Sequence, residues 1–186
     1  MELRPVTPND LALLGEIDGT IETRQYLHIE RSGTGLAASW QIHERPLRER
    51  IVRANPIDDE RRLMLKMIAT GADEGVAMMA SHDDMPVALV AAVPEPALGT
   101  LRIAELRVDF DLRRQGLASA LVYSMIAEAK TRGLRAVSAE TTTDNFPAAQ
   151  LLSRCGFEIT GLDERRRSNH DLVKETVSIF WHASLD

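Results

Sequence analysis

Two carboxylates, an asparagine and a glycine turn flanked by arginines are the residues whose types and spacing could do chemistry here: Glu105, Glu140, Asn145 and the run Arg113-Arg114-Gln115-Gly116-Leu117-Ala118. Glu140 sits in Ala136-Val137-Ser138-Ala139-Glu140-Thr141-Thr142, where strand alternation places it with Ser138 and Thr142, opposite Val137 and Ala139. A carboxylate in such an apolar strand is either a hydrogen-bonded structural group or a general base. An amine near pKa ~10 needs such a base before its nitrogen can attack an electrophile. Glu105, in Glu105-Leu106-Arg107-Val108, is the second candidate base, with a solvent-side strand residue as its plain alternative.

The glycine run reads as the handover from a strand to a helix. Leu101, Ile103 and Val108 give the β-rich side. Beyond it, Leu117, Leu121, Met125 and Ala129 recur at helical spacing, with Ala118, Val122 and Ile126 beside them. The first amides of a helix lack internal partners and carry the positive end of its dipole, so a phosphate could dock there. Gly116 allows φ > 0 or a close approach, and Arg113 and Arg114 add charge. The plain alternative is a glycine turn with two solvated arginines.

Those six residues match the Q/R-x-x-G-x-G/A signature of the GNAT superfamily of acyl-CoA N-acyltransferases, and Glu105-Leu106-Arg107-Val108 is similar to that family's central strand. A second segment, Asn145-Phe146-Pro147-Ala148-Ala149-Gln150-Leu151-Leu152-Ser153-Arg154-Cys155-Gly156-Phe157, resembles the family's N-x-x-A-x-x-L-Y-x-x-x-G-F stretch in the right order and spacing. The resemblance implies an α/β (mixed α+β) fold, with a central, mostly antiparallel, splayed sheet flanked by helices. It implies acetyl-CoA as co-substrate, with its diphosphate on the amides of Arg113 to Ala118. Leu106, Arg107, Val108, Ser119 and Asn145 complete the expected cofactor-binding set, and a backbone amide of Arg107 or Val108 would receive the oxyanion. Glu140, five residues before the motif asparagine, corresponds to the family's general base. Asn145 has a second reading as a helix N-cap, a place Asp144 could also fill.

One position departs from the pattern. Leu152 stands where the family commonly has a general-acid tyrosine. Cys155, Tyr123 and His170 are conceivable substitutes, and a thiol of pKa ~8.5 is a tolerable leaving group without help. The last third of the chain is also similar to the streptothricin acetyltransferase branch, through Glu140-Thr141, Asn145, Pro147-Ala148, Gly156-Phe157, Asp163, Ser168-Asn169, Glu175 and Ile179-Phe180-Trp181, with Arg167 where that branch tends to show tyrosine, and the resemblance as a whole covers about Leu101 to Trp181. The implied acceptor is a small-molecule amine. Acetylation of a protein N-terminus or lysine is the alternative, and a non-catalytic CoA-binding module is another.

Composition narrows the rest. At 186 residues the chain fits one domain over 1–186, and the resemblance implies that about 1–99 form the acceptor side and about 100–186 the acetyl-CoA side. A net charge of −6 argues against a nucleic-acid partner, and Glu164-Arg165-Arg166-Arg167 reads as a local solvated run. No window reaches the ~18 apolar residues of a membrane span, so no membrane partner and a cytoplasmic location are expected. The single cysteine, Cys155, reads as a small core residue. His28, His43, His82, His170 and His182 lack metal-ligand spacing, so no metal is expected. A homodimer stays open.

The positioning elements follow from periodicity. A strand over Leu3 to Val6 precedes a helix capped by Thr7, with Leu11, Leu14, Ile17 and Ile21 as its inner stripe. Arg31 to Ser39 reads as a loop, Trp40-Gln41-Ile42 as a short strand, and Leu47 to Ala54 as a helix. A second helix from Asp58 turns Leu63, Met67 and Ile68 inward. Strands follow at Val76 to His82 and Val87 to Val93, then the central strand from Leu101, the Gly116 helix to Gly133, and a strand at Ala136 to Thr142. A helix from Pro147 to Arg154 stops at Gly156, and strands at Phe157 to Gly161 and Val177 to Trp181 close the chain.

Overall fold

Most of the β-branched runs find partners in one sheet. The computed structural model describes residues 3–166 and 176–185. Its strands are β1 (Leu3–Pro5), β2 (Ile21–Ser32), β3 (Ser39–Arg53), β4 (Val76–His82), β5 (Met85–Glu95), β6 (Thr100–Val108), β7 (Ala136–Thr142), β8 (Glu158–Asp163) and β9 (Ser178–Ser184). Its α-helices are α1 (Asp59–Ala69), α2 (Leu117–Thr131) and α3 (Phe146–Arg154). Seven strands form a sheet in the order β1-β4-β5-β6-β7-β9-β8, while β2 and β3 pair apart as a ribbon. Every sheet neighbour is antiparallel except β6 and β7, which are joined by the α2 crossover.

Each face of the sheet has its own core. Leu121, Val122, Met125 and Ala129 of α2 pack on Val90, Leu101 and Val137, with Leu152 of α3 in the same cluster. On the other face Leu14, Ile17, Ile57 and Leu65 cover Leu89 and Ala91. The β4–β5 hairpin turns at Asp83 and Asp84, both at positive φ, the twist that suits a tight hairpin.

Two irregularities in β6 create the site. It pairs with β7 only from Thr100 to Ile103, opposite Ala136 to Ala139, and beyond that rung the strands part. On its other side Ile103 pairs with Ala92 and Glu105 with Ala91, leaving Ala104 as an extra residue. This bulge reverses the alternation. Leu101 and Ile103 pack toward α2, and so do Leu106 and Val108, which turns Glu105 and Arg107 to the opposite face.

The first 70 residues correct several expectations. The helix after Thr7 is two 3-10 turns, Pro8–Asp10 and Leu14–Glu16, and Ile21 opens β2. Gly15 interrupts the stretch at a helix cost of ~1 kcal/mol, while Leu14 and Ile17 are buried as expected. The loop from Arg31 to Ser39 shrinks to a hairpin tip carrying the turn Gly35–Ala37. Leu47 to Ala54 is not helical, because β3 runs on to Arg53 with Ile51 opposite Thr23 and Val52 opposite Glu22. Leu47 to Arg50 instead form a wide bulge between the Gln25–Pro46 and Thr23–Ile51 pairs, so cross-strand pairing overrides the local helical preference. In α1 Leu65 is buried and Ile68 packs against the same cluster as expected, whereas Leu63 and Met67 are exposed.

Candidate active site

Where β6 and β7 part, a cleft of about 490 Å³ opens, walled by Ala104 to Leu106, by Ala139 to Thr142, and by Asn145, Ala148 and Leu152 at α3. Ile21 and Arg53 at the ribbon's base and Arg61 of α1 also line it. The ribbon is held there by Leu27 N donating to Thr143 O at 2.9 Å and by an Arg53–Asp144 ion pair at 2.6 Å. At its far end Trp40 Nε1 donates to Glu164 Oε2 at 3.2 Å. A smaller hollow of about 270 Å³ lies between the N-terminal turns and α1, lined by Leu11, Leu14, Ile57 and Leu65 and by none of the candidate residues.

Both candidate carboxylates line the cleft, in opposite circumstances. Glu140 keeps 24% of its side chain exposed; Oε1 accepts from Ser178 Oγ at 2.7 Å, and Oε2 meets Arg166 Nε at 3.2 Å. Glu105 is 4% exposed, with Oε1 at 3.0 Å from Arg107 Nε and Oε2 at 2.9 Å from Arg61 Nε. The solvent-side alternative for Glu105 is therefore corrected, and the cause is the Ala104 bulge. Two guanidiniums offset the desolvation of that buried carboxylate and anchor α1 to β6. Arg107 Nη2 is itself buried with no hydrogen-bond partner among the described residues.

The glycine run has the geometry of a helix-start anion cradle. Arg114 takes φ 62° and Gly116 φ 86°, and the first intrahelical bond of α2 runs from Ala120 N to Gly116 O at 3.0 Å. The amides of Leu117, Ala118 and Ser119 precede that bond, so helix geometry gives them no internal acceptor. Arg114, Gln115 and Gly116 are exposed, and a Cβ on Gly116 would meet nothing within 4 Å of the protein. Glycine is demanded by the backbone angle.

Arg113 is engaged differently from its neighbour. Its Nε donates to Val108 O at 3.0 Å, Nη1 to Thr20 O at 2.6 Å and Nη2 to Asp18 O at 3.3 Å, while the guanidinium covers the Phe110 ring at 5.1 Å. Burial lowers its pKa, opposed by the charges of Asp18 and Asp109.

Asn145 occupies the N-cap of α3 through its backbone, accepting from Ala149 N at 3.2 Å, yet its side chain makes no capping bond and lines the cleft. Asp144 instead takes Arg53. Leu106 lines the cleft, whereas Arg107 and Val108 are buried, in register with Leu89 and Ala88 of β5. Leu152 is 3% exposed, a core residue that also lines the cleft. Of the substitutes for a tyrosine there, Tyr123 is 52% exposed and Cys155 is buried, and neither lines the cleft. His170, Arg167, Ser168-Asn169 and Glu175 lie outside the described residues.

Sequence reasoning missed Ser178, Arg166, Arg61 and Arg53. Arg166 was visible only as part of a solvated basic run, and Arg61 and Arg53 only as helix residues or helix ends. Among the described residues no group of three or more His, Cys, Asp or Glu side chains is arranged to hold a metal. None of their helices is long and apolar enough to cross a membrane.

Residues 38–157 match the profile described as Acetyltransferase (GNAT) family. The streptothricin acetyltransferase of Escherichia coli is 29% identical over 80 residues, 43% of this chain and 46% of that protein, so the chain spans less than half of that relative's length. The [ribosomal protein bS18]-alanine N-acetyltransferase of Salmonella typhimurium is 31% identical over 130 residues, 68% of this chain and 76% of that protein. A Bacillus anthracis structure solved in complex with acetyl coenzyme A superposes with a TM-score of 0.79 at 17% identity, covering 100% of this chain and 97% of that one.

Proposed function

The chain belongs to the GNAT acetyltransferase family, and on that premise we propose that it transfers the acetyl group of acetyl-CoA to the primary amine of a small molecule by direct attack. The observation that carries this reading is the partly exposed Glu140 in the cleft between the parted strands β6 and β7. The acetyl-CoA side is about residues 100–186, the acceptor side about 1–99, within a single domain. The diphosphate docks on the amides of Leu117, Ala118 and Ser119 with Arg114 and Gln115 beside them, and Asn145 reaches the pantetheine arm.

In the proposed reaction Glu140 takes one proton from the acceptor's ammonium, directly or through a water. The nitrogen then forms its bond to the thioester carbonyl carbon. A backbone amide of β6, at Arg107 or Val108, receives the oxyanion. As the C–S bond breaks, the electron pair leaves on sulfur, and the second nitrogen proton goes to the thiolate through solvent. Among the described residues the cleft lining holds no tyrosine, histidine or cysteine, and a thiol with pKa ~8.5 can depart unassisted. Glu105, held between two guanidiniums, serves as an anchor for α1 in this scheme.

A cleft of about 490 Å³ suits a small molecule. The ribbon tied across the ends of β7 and α3 narrows the room for an extended peptide. The protein N-terminal reading is supported by the similarity to the bS18-alanine enzyme. Thiol release and product mass, measured with aminoglycoside-like and streptothricin-like amines against peptides bearing N-terminal alanine or internal lysine, separate the two. Small amines are the expected acceptors. Acetylation of peptides alone would favour the second reading, and thiol release with neither would leave a CoA-binding module.

A further inference from the structure

Arg166 lies just past β8, half exposed, with its guanidinium 5.5 Å from the centre of the Phe180 ring and its Nε 3.2 Å from Glu140 Oε2. Phe180 is also the β9 residue in register with Glu140. The guanidinium therefore stands on the carboxylate of a cleft-lining residue, held by a ring from the neighbouring strand. We propose that Arg166 is a positioning residue that holds the Glu140 carboxylate oriented in the resting cleft, and that the acceptor's ammonium group replaces it there. The inference rests on Glu140 being the base of the proposed reaction.

The energetics suit an exchange. An ion pair with one partner half exposed contributes little, so an incoming cation displaces it at small cost. Exchanging the guanidinium for the ammonium puts the proton to be removed on the same oxygen and removes the competing charge. Ser178 Oγ, donating 2.7 Å to Oε1, holds the carboxylate while Oε2 changes partner. Among the described residues, the other charged groups around the cleft have partners of their own. Glu95 accepts from Ser138 and pairs with Arg102, and His182, in register with Ser138, is bonded to Thr160. Across the cleft Glu105 takes Arg61, and Arg53 takes Asp144.

The test is kcat and KM for the best acceptor, read separately in the parent, Arg166→Gln and Arg166→Lys. The Gln variant is expected to lower the acceptor KM by roughly three- to tenfold with kcat little changed, because the competing cation is gone, while the Lys variant returns KM toward the parent. Phe180→Leu, which removes the ring under the guanidinium, should move KM in the same direction as the Gln variant. A KM unchanged or raised in Arg166→Gln would overturn the inference. Its failure is distinct from failure of the reading beneath it. A parent inactive on every amine, or a fully active Glu140→Gln, overturns the reaction itself. An active parent, a slow Glu140→Gln and an Arg166→Gln identical to the parent overturn only the exchange.

Discussion

Arg113 Nη1 donates to the backbone oxygen of Thr20 at 2.6 Å, tying the turn before α2 to the chain just ahead of β2. The same guanidinium reaches Val108 O and Asp18 O, so its donors hold three carbonyls in one place. A phosphate role for this side chain would compete with all three.

Arg113→Ala should therefore act first on stability, by on the order of 1–3 kcal/mol for lost charged hydrogen bonds. The measurement is a denaturant midpoint beside an acetyl-CoA titration. A lowered midpoint is expected for Arg113→Ala, and a loss of affinity with the fold intact for Arg114→Ala. An unchanged midpoint with strongly weakened binding in Arg113→Ala would return Arg113 to the phosphate.

An ion pair ties β1 to the turn that follows it. Arg4 Nη2 lies 2.6 Å from Asp10 Oδ1, and Asp10 Oδ2 also accepts from the Thr7 hydroxyl at 2.7 Å and the Thr7 amide at 2.8 Å. Arg4 first, then Thr7, hold the Asp10 carboxyl well below its ordinary range. A carboxyl lowered on folding stabilises fully above its unfolded value of ~3.9, and that contribution fades as pH falls toward the folded value. Asp10→Asn should lower the melting temperature at pH 7 and flatten its decline below about pH 4. A melting curve with the parent's acid slope would assign that slope to other carboxylates.

Leu152 belongs both to the α2-side core and to the cleft wall. Leu152→Tyr adds volume to a packed position, at ~1–3 kcal/mol if the ring stays in the core and less if the hydroxyl extends into the cleft. Turnover on the best acceptor, read as thiol release, should match or exceed the parent's. A large loss of rate in a folded variant would mean that Leu152 shapes the acetyl or acceptor pocket.

Local signals sufficed where elements are positioned by their neighbours in sequence. The strand Ala136 to Thr142 has the bounds that its alternation suggested, α2 begins after Gly116, and Gly133 and Gly156 both take positive φ after their helices. Long-range pairing was illegible. Leu47 to Arg53 carries helix-favouring residues yet lies in β3, because its partners Glu22 and Thr23 are remote in sequence. The Ala104 bulge leaves no mark in the composition of β6, and it alone turns Glu105 toward Arg61. Glu140 could be singled out as a misplaced carboxylate in an apolar strand, but Ser178 and Arg166 reach it from other parts of the sheet.

The central claim is that Glu140 removes the acceptor's proton, and Glu140→Gln tests it most directly. Thiol release on the best amine acceptor at neutral pH should fall by ~10²–10⁴-fold. Acetyl-CoA affinity, measured by calorimetry in the same preparation, should stay at the parent's value, since Glu140 lies on the acceptor side of the thioester in the proposed scheme. Full turnover in Glu140→Gln would contradict the account, leaving Glu140 a structural partner of Ser178 and Arg166.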